Sequence, residues 1–268
     1  METRKIDIFG LMFRFFVAIF LILTVGQFAF GQQEKVVYHN QQFWTSLNVT
    51  ARMTERWGAI ADVHIRRNDF LKTSDFYFLR FGAAYWASNE FTLAGGYAHL
   101  WKSQTIDGAR VGYSDENRIY QQALWRKREG KITFLSRLRN EQRWQEVLDS
   151  NGDVDRVRFS NRVRFLMSLS WRPFSNPKLP ALVVSDEILF HFGKEIVFNA
   201  MDQNRTFLGI NQRLTKDLSF DLGYMLVYQQ RYSGFEYDMN HTFRLFFYYS
   251  PDWRKEKEGP HYSIPGDE

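Results

Sequence analysis

The chain has 268 residues, of which 44% are hydrophobic and 18% aromatic, with no cysteine and a formal net charge of +5. Without cysteine there is no disulfide scaffold, thiolate metal site, cysteine nucleophile or acylated lipoprotein anchor. With 26 Phe, 13 Tyr and 8 Trp the chain has too much apolar surface for a disordered protein. A mean hydropathy of −0.41 beside that aromatic content requires apolar and polar residues to be interleaved.

Arg4, Lys5 and Arg14 precede an unbroken apolar run, Phe15 to Leu23, and Ala29-Phe30-Gly31 sets small residues before Gln32. This order of basic, apolar and small residues predicts a cleaved secretory signal peptide over residues 1–31. The competing reading is a signal anchor reaching from Leu11 to Phe30, but Gly26-Gln27 interrupts it short of the ~20 apolar residues of a span.

From there the sequence runs in period two. Phe91, Leu93, Gly95, Tyr97, His99 and Trp101 share one face, and Leu218, Phe220, Leu222, Tyr224, Leu226 and Tyr228 alternate against Ser219, Asp221, Gly223, Met225, Val227 and Gln229. Alternation of this length predicts strands. In chain order they cover 42–52, 57–67, 75–87, 91–101, 115–128, 131–144, 157–171, 181–191, 203–214, 218–231 and 239–249. Tight turns at 54–56, 88–90, 129–130 and 216–217, with a longer one at 173–180, alternate with polar loops around 68–74, 102–114, 145–156, 192–202 and 232–238. Short turns on one side and longer loops on the other predict an all-β, antiparallel transmembrane barrel with periplasmic turns. An even strand number then requires a further crossing, for which residues 34–38 are available. The expectation is ten to twelve strands with twelve preferred, a barrel over 32–250, and a polar periplasmic tail over 251–268.

Arginine at a lipid midplane costs ~2–4 kcal/mol, so charged faces must point inward. The expected lumen lining is Arg66, Arg80, Glu116, Arg118, Arg137, Arg139, Glu141, Arg143, Arg158, Arg162, Arg164, Glu187, Arg205, Arg213 and Asp221, with Asp62, His64 and Arg231. On these faces twelve arginines oppose five acids, a surplus of seven positive charges. The strand at 181–191 is ambiguous, because Asp186 shares its parity with Leu182, Val184, Ile188 and Phe190; a bulge, or a partly submerged Asp186 with Glu187 inside, would resolve it. Trp44, Trp57, Tyr85, Trp86, Trp101, Trp125, Trp144 and Trp171 fall mostly near strand ends, as interfacial girdles require.

The runs Asp115-Glu116-Asn117-Arg118, Arg137-Leu138-Arg139-Asn140-Glu141-Gln142-Arg143-Trp144 and Asp202-Gln203-Asn204-Arg205, with Gly223-Tyr224 downstream, resemble the bacterial outer-membrane-barrel family catalogued as domain of unknown function 2490. The resemblance implies export to the outer membrane of a Gram-negative bacterium of the Bacteroidetes type, and supplies no activity, substrate or catalytic residue.

Two roles fit the arginine face. A narrow barrel can fill its interior with a hydrogen-bonded network, or surplus positive charge can line a path for anions. The expectation is a passive barrel, structural or binding, or a small anion-preferring pore. A lipid-modifying hydrolase is the competing class. Of His39, His64, His99, His191, His241 and His261, His64 shares a face with Asp62, and His191 with Ser185 and Glu187, but none lies in a recognisable serine motif. No catalytic residue, metal cluster or cofactor is expected. The loop Asp149-Ser150-Asn151-Gly152-Asp153-Val154-Asp155 reads as a solvated hairpin loop despite its likeness to the start of a calcium loop. The expected partners are outer-membrane lipid, the barrel assembly machinery and a small anionic solute; the chain is expected to be monomeric, and its arginines form no exposed nucleic-acid patch.

Overall fold

The computed structural model describes residues 34–254, apart from 107, 108, 175, 177 and 178. The signal segment and most of the tail lie outside the described residues.

Eleven strands follow in chain order: β1 (Val36–Arg52), β2 (Trp57–Asn68), β3 (Thr73–Trp86), β4 (Phe91–Ile106), β5 (Ala109–Glu129), β6 (Ile132–Leu148), β7 (Val154–Trp171), β8 (Ala181–Phe192), β9 (Met201–Arg213), β10 (Leu218–Gln230) and β11 (Glu236–Tyr249). Each pairs with its sequence neighbour antiparallel, and β1 pairs with β11 in parallel to close the barrel. Three tight turns are built alike. The hydroxyls of Thr54, Ser88 and Thr215 accept hydrogen bonds from the backbone N–H groups of Trp57, Phe91 and Leu218, at 2.9, 3.0 and 3.0 Å. A hydroxyl at the first turn position thus supplies the local bond that reverses the chain. The β5–β6 turn instead uses Gly130, at φ 56°, in the left-handed region where glycine carries no Cβ penalty.

The count corrects the preference for twelve strands. Residues 34–38 form no separate crossing, because His39, Asn40 and Gln41 carry the chain straight into the next segment, paired with Met239, Asn240 and His241 of β11. Those three polar residues break the hydrophobic pattern but not the strand. Eleven strands are odd, so β1 begins at the loop end, where the Val36 N–H donates to the Phe235 carbonyl at 3.1 Å. The segments 102–114 and 145–156, expected as loops, are mostly strand, since the β4–β5 and β6–β7 ladders continue past the aromatic level and satisfy the backbone themselves. What remains of the second is a turn in which Asp149 Oδ1 accepts the N–H groups of Asn151 and Asp153 at 2.8 and 3.0 Å.

Leu47, Val63, Leu79, Phe81, Ile119, Leu138, Leu182 and Leu208 point outward and are exposed. Aromatic pairs stand toward the strand ends: Trp57–Tyr85 and Trp125–Phe134 on the turn side, Tyr77–Tyr113 and Trp144–Phe159 on the loop side. Trp44 and Trp86 depart from the girdle expectation. Both point inward and are buried, 2% and 7% exposed, because arginines cover their faces: Arg66 lies 3.2 Å from the Trp44 ring centroid, and Arg52 lies 5.0 Å from that of Trp86.

Candidate functional site: an arginine network beneath a basic vestibule

Alternation on β5 to β9 sends one residue in two inward, and on these strands the inward positions hold the charges. Glu116 accepts from Arg118 Nε and Arg143 Nε, both at 2.6 Å, and from Gln145 Nε2 at 2.8 Å. Glu141 accepts two bonds from Arg162, at 2.8 and 2.6 Å, and one from Arg164 Nη1 at 3.1 Å. Glu187 accepts from Arg137 Nη2 at 2.6 Å, from Arg164 Nε and Nη2 at 2.9 and 2.8 Å, and from Arg205 Nη1 at 3.3 Å. Each carboxylate therefore serves several guanidinium groups, whose planar forks suit such sharing. A second group lies around Asp62 with Arg80, and around Asp221, which accepts from Arg244 at 3.4 Å and Tyr248 at 3.2 Å.

The structure places Arg66, Arg80, Arg118, Arg137, Arg139, Arg143, Arg162, Arg164 and Arg205 inside and buried, with Glu116, Glu141, Glu187 and Asp221. Arg158 is half-buried, its guanidinium 4.2 Å from the Tyr232 ring centroid. Arg213 is exposed and does not line the interior, because it ends β9 at the turn rim, where Arg172 is its neighbour. Arg231 sits at the loop rim bound to Asp238 at 2.9 and 2.6 Å, and that carboxylate holds its pKa above the ordinary guanidinium range. The 181–191 ambiguity resolves with Glu187 inside and Asp186 outside; the register with β7 is continuous there.

Sequence reasoning missed Asp202, Arg52, Arg126 and Arg244, all buried inside. Arg126 and Arg244 share their parity with inward neighbours, so alternation could have found them. Asp202 could not be found this way, since a bulge between Leu189 and Phe190 shifts the β8–β9 register and turns it inward, where it accepts from Arg162 at 3.0 Å. Apolar residues also point inward, which a simple division into lipid and lumen faces does not foresee. Phe207, Met225, Phe246 and Tyr248 pack together, as do Leu124, Leu135 and Leu166, and Ile60 with Ala84 and Trp86.

The interior is thus layered. On the loop side, a cavity of about 1150 Å³ opens above the network. Eleven basic and six acidic side chains line it, among them Arg66, Arg143, Arg158, Arg162 and Arg205, giving a surplus of five positive charges. Several lining groups keep unused bonding capacity: Arg143 Nη1, Arg158 Nε, His64 Nε2 and Asn199 Oδ1 have no hydrogen-bond partner among the described residues. Below the network, the pocket between Phe207, Met225 and Leu166 holds about 30 Å³, room for one or two water molecules. The Tyr120 side chain reaches from β5 across β4 to Gly82 on β3, with Arg80 and Arg139 at 5.2 and 5.5 Å from its ring centroid. A Cβ on Gly82 would lie 2.5 Å from the Tyr120 hydroxyl, so this crossing requires glycine there.

Two of the buried histidines are held by their surroundings. His191 Nε2 bonds the Asn199 carbonyl at 2.6 Å, and His64 is packed edge-on between Phe78 and Phe246.

A solved NanC porin structure is similar to this chain at 14% identity and a TM-score of 0.44, over 72% of this chain and 89% of that one. No curated protein matches the chain. The family described as protein of unknown function (DUF2490) matches residues 41–240, most of the barrel and every arginine bound to Glu116, Glu141 and Glu187, and the chain belongs to that family.

Proposed function

We propose that this protein is a barrel of the bacterial outer membrane that holds a small anionic solute in a blind, arginine-lined vestibule. Membrane insertion rests on the outward apolar wall between aromatic levels, a surface that would aggregate in water. The preceding basic, apolar and small-residue segment supports export, with the turns on the periplasmic side. The observation that carries the binding role is the contrast within the interior: about 1150 Å³ of basic cavity on the loop side, and beneath it the paired arginine layer and the packed Phe207, Met225 and Phe246, with a pocket of about 30 Å³ beside them. Layers of paired arginine and packed apolar rings favour a binding barrel over a continuous path. The surplus of basic side chains in the cavity wall, Arg66, Arg143 and Arg158 among them, favours an anionic guest.

Single-channel recording of the folded barrel in a planar bilayer tests the blind interior, and calorimetric titration with phosphate or citrate tests the vestibule. The expected result is no stepwise conductance together with anion binding that weakens as salt rises. Regular conductance steps with an anion-selective reversal potential would replace this reading by the pore.

A further inference from the structure

The outer wall is not uniform around the barrel. The arc from β10 through β11, β1 and β2 to β3 presents Phe220, Leu222, Leu245, Leu47, Val63 and Leu79 at its centre. The opposite arc is interrupted by two polar patches. On β5 to β7, Gln121, Asn140 and Gln142 face outward and bond one another, with Gln121 Nε2 donating to Gln142 Oε1 at 3.0 Å and Asn140 Nδ2 to Gln121 Oε1 at 3.3 Å; Asn161 stands opposite Gln142. On β8 and β9, Asp186 faces outward and accepts from Asn204 Nδ2 at 3.0 Å and Thr206 Oγ1 at 2.8 Å.

Neither patch lies at a rim. Asp186 sits between the outward residues Val184 and Ile188 of its own strand, and Gln121 between Ala123 and Ile119. Gln121 is four residues from the girdle residue Trp125, about 10 Å along the membrane normal at ~3.3 Å per residue and ~40° of tilt. Carboxylates and amides at this depth are costly against hydrocarbon and tend to mark surfaces covered by protein.

Resting on the membrane reading, we infer that a second copy of this chain covers this arc, the amide patch of one copy meeting the Asp186 patch of the next. The chemistry is complementary: Asp186 is bonded only by neutral groups and can accept further N–H donors, and the amides of Gln142, Asn140 and Asn161 supply them. A two-fold contact centred on Asp186 would instead oppose two carboxylates. A contact between unlike patches propagates from copy to copy, and closes as a ring where the rotation between copies permits it.

The absence of native cysteine makes disulfide trapping clean. In outer membranes oxidised before extraction, the Gln142→Cys, Asn204→Cys double variant should give cross-linked dimers and higher species, and the Leu47→Cys, Leu222→Cys pair on the apolar arc should not. The Gln142→Leu, Asp186→Leu variant should run as a folded monomer in mild detergent where the parent protein does not. A parent protein that is folded, membrane-embedded and free of inter-copy cross-links overturns the inference and leaves the membrane reading standing, as would cross-links to other proteins alone. Recovery of the chain in the soluble fraction would overturn the membrane reading itself.

Discussion

Replacing Glu187 by Gln isolates what holds the network together. Glu187 accepts four N–H bonds from Arg137, Arg164 and Arg205, all in a layer where its own exposure is 4%. Glutamine keeps the shape but removes the negative charge, and it turns an NH₂ donor toward three cations that already donate. Removing one partner of a buried ion pair costs about 3–5 kcal/mol, because it strands the other charge. Arg164 retains Glu141 at 3.1 Å, whereas Arg137 loses its 2.6 Å partner, so the effect should fall within that range rather than above it. Equilibrium urea unfolding of the refolded barrel in lipid vesicles, followed by tryptophan fluorescence and by the gel mobility of unboiled samples, measures the difference. Arg139→Gln serves as the companion variant: Arg139 bonds Gln122 at 2.9 Å and stands 3.9 Å from Glu141, so its loss should cost about 1–2 kcal/mol. A Glu187→Gln loss under 1 kcal/mol, or a ranking with Arg139→Gln the more damaging, would refute the claim that shared carboxylates neutralise this layer.

Three further outcomes are expected. Leu222→Arg or Phe165→Arg, on the outer wall, should cost about 2–4 kcal/mol and deplete the assembled barrel seen by unboiled gel mobility; tolerance of both would mean that the faces are inverted. Gly96→Val should prevent folding, since its Cβ would lie 2.5 Å from the Gly82 Cα, whereas Gly95→Ala should fold, its Cβ meeting only the Tyr120 carbonyl at 3.3 Å; equal refolding yields would contradict the tight crossing beneath Tyr120. Arg158→Gln should weaken phosphate or citrate binding by calorimetry while lowering urea stability by no more than about 1 kcal/mol, the scale of its contact with the Tyr232 ring; unchanged binding would place the guest elsewhere.

The barrel was legible in the sequence because period-two alternation states both the strand and its faces: Arg137, Arg139, Glu141 and Arg143 oppose Leu138 whatever their neighbours are. Strand ends were less legible. The polar run His39-Asn40-Gln41 reads as a break, but backbone pairing with β11 does not depend on side-chain polarity. Position inside the barrel also escapes the simple rule that apolar means outward. Trp44 and Trp86 are inside because an arginine can lie against an indole, and Phe207 and Phe246 because the lower interior is packed rather than open. The vestibule itself had no signature, since Arg66 on β2, Arg158 on β7 and Arg205 on β9 meet only when the sheet closes.

That closure has a kinetic consequence. All other ladders join consecutive strands, but the β1–β11 seam joins residues 200 positions apart, as in the pair Asn40 and Asn240. Loop-closure entropy rises by about 0.6 kcal/mol per doubling of length, so the seam begins about 2 kcal/mol behind a hairpin joining residues some twenty apart. It should therefore form last, after a curled sheet with two unpaired edges has been built from local contacts. Substitutions along the seam should then hasten unfolding more than they slow the early steps of folding, and the unpaired edges of β1 and β11 are the surface that must be kept from pairing with other chains until the ring shuts.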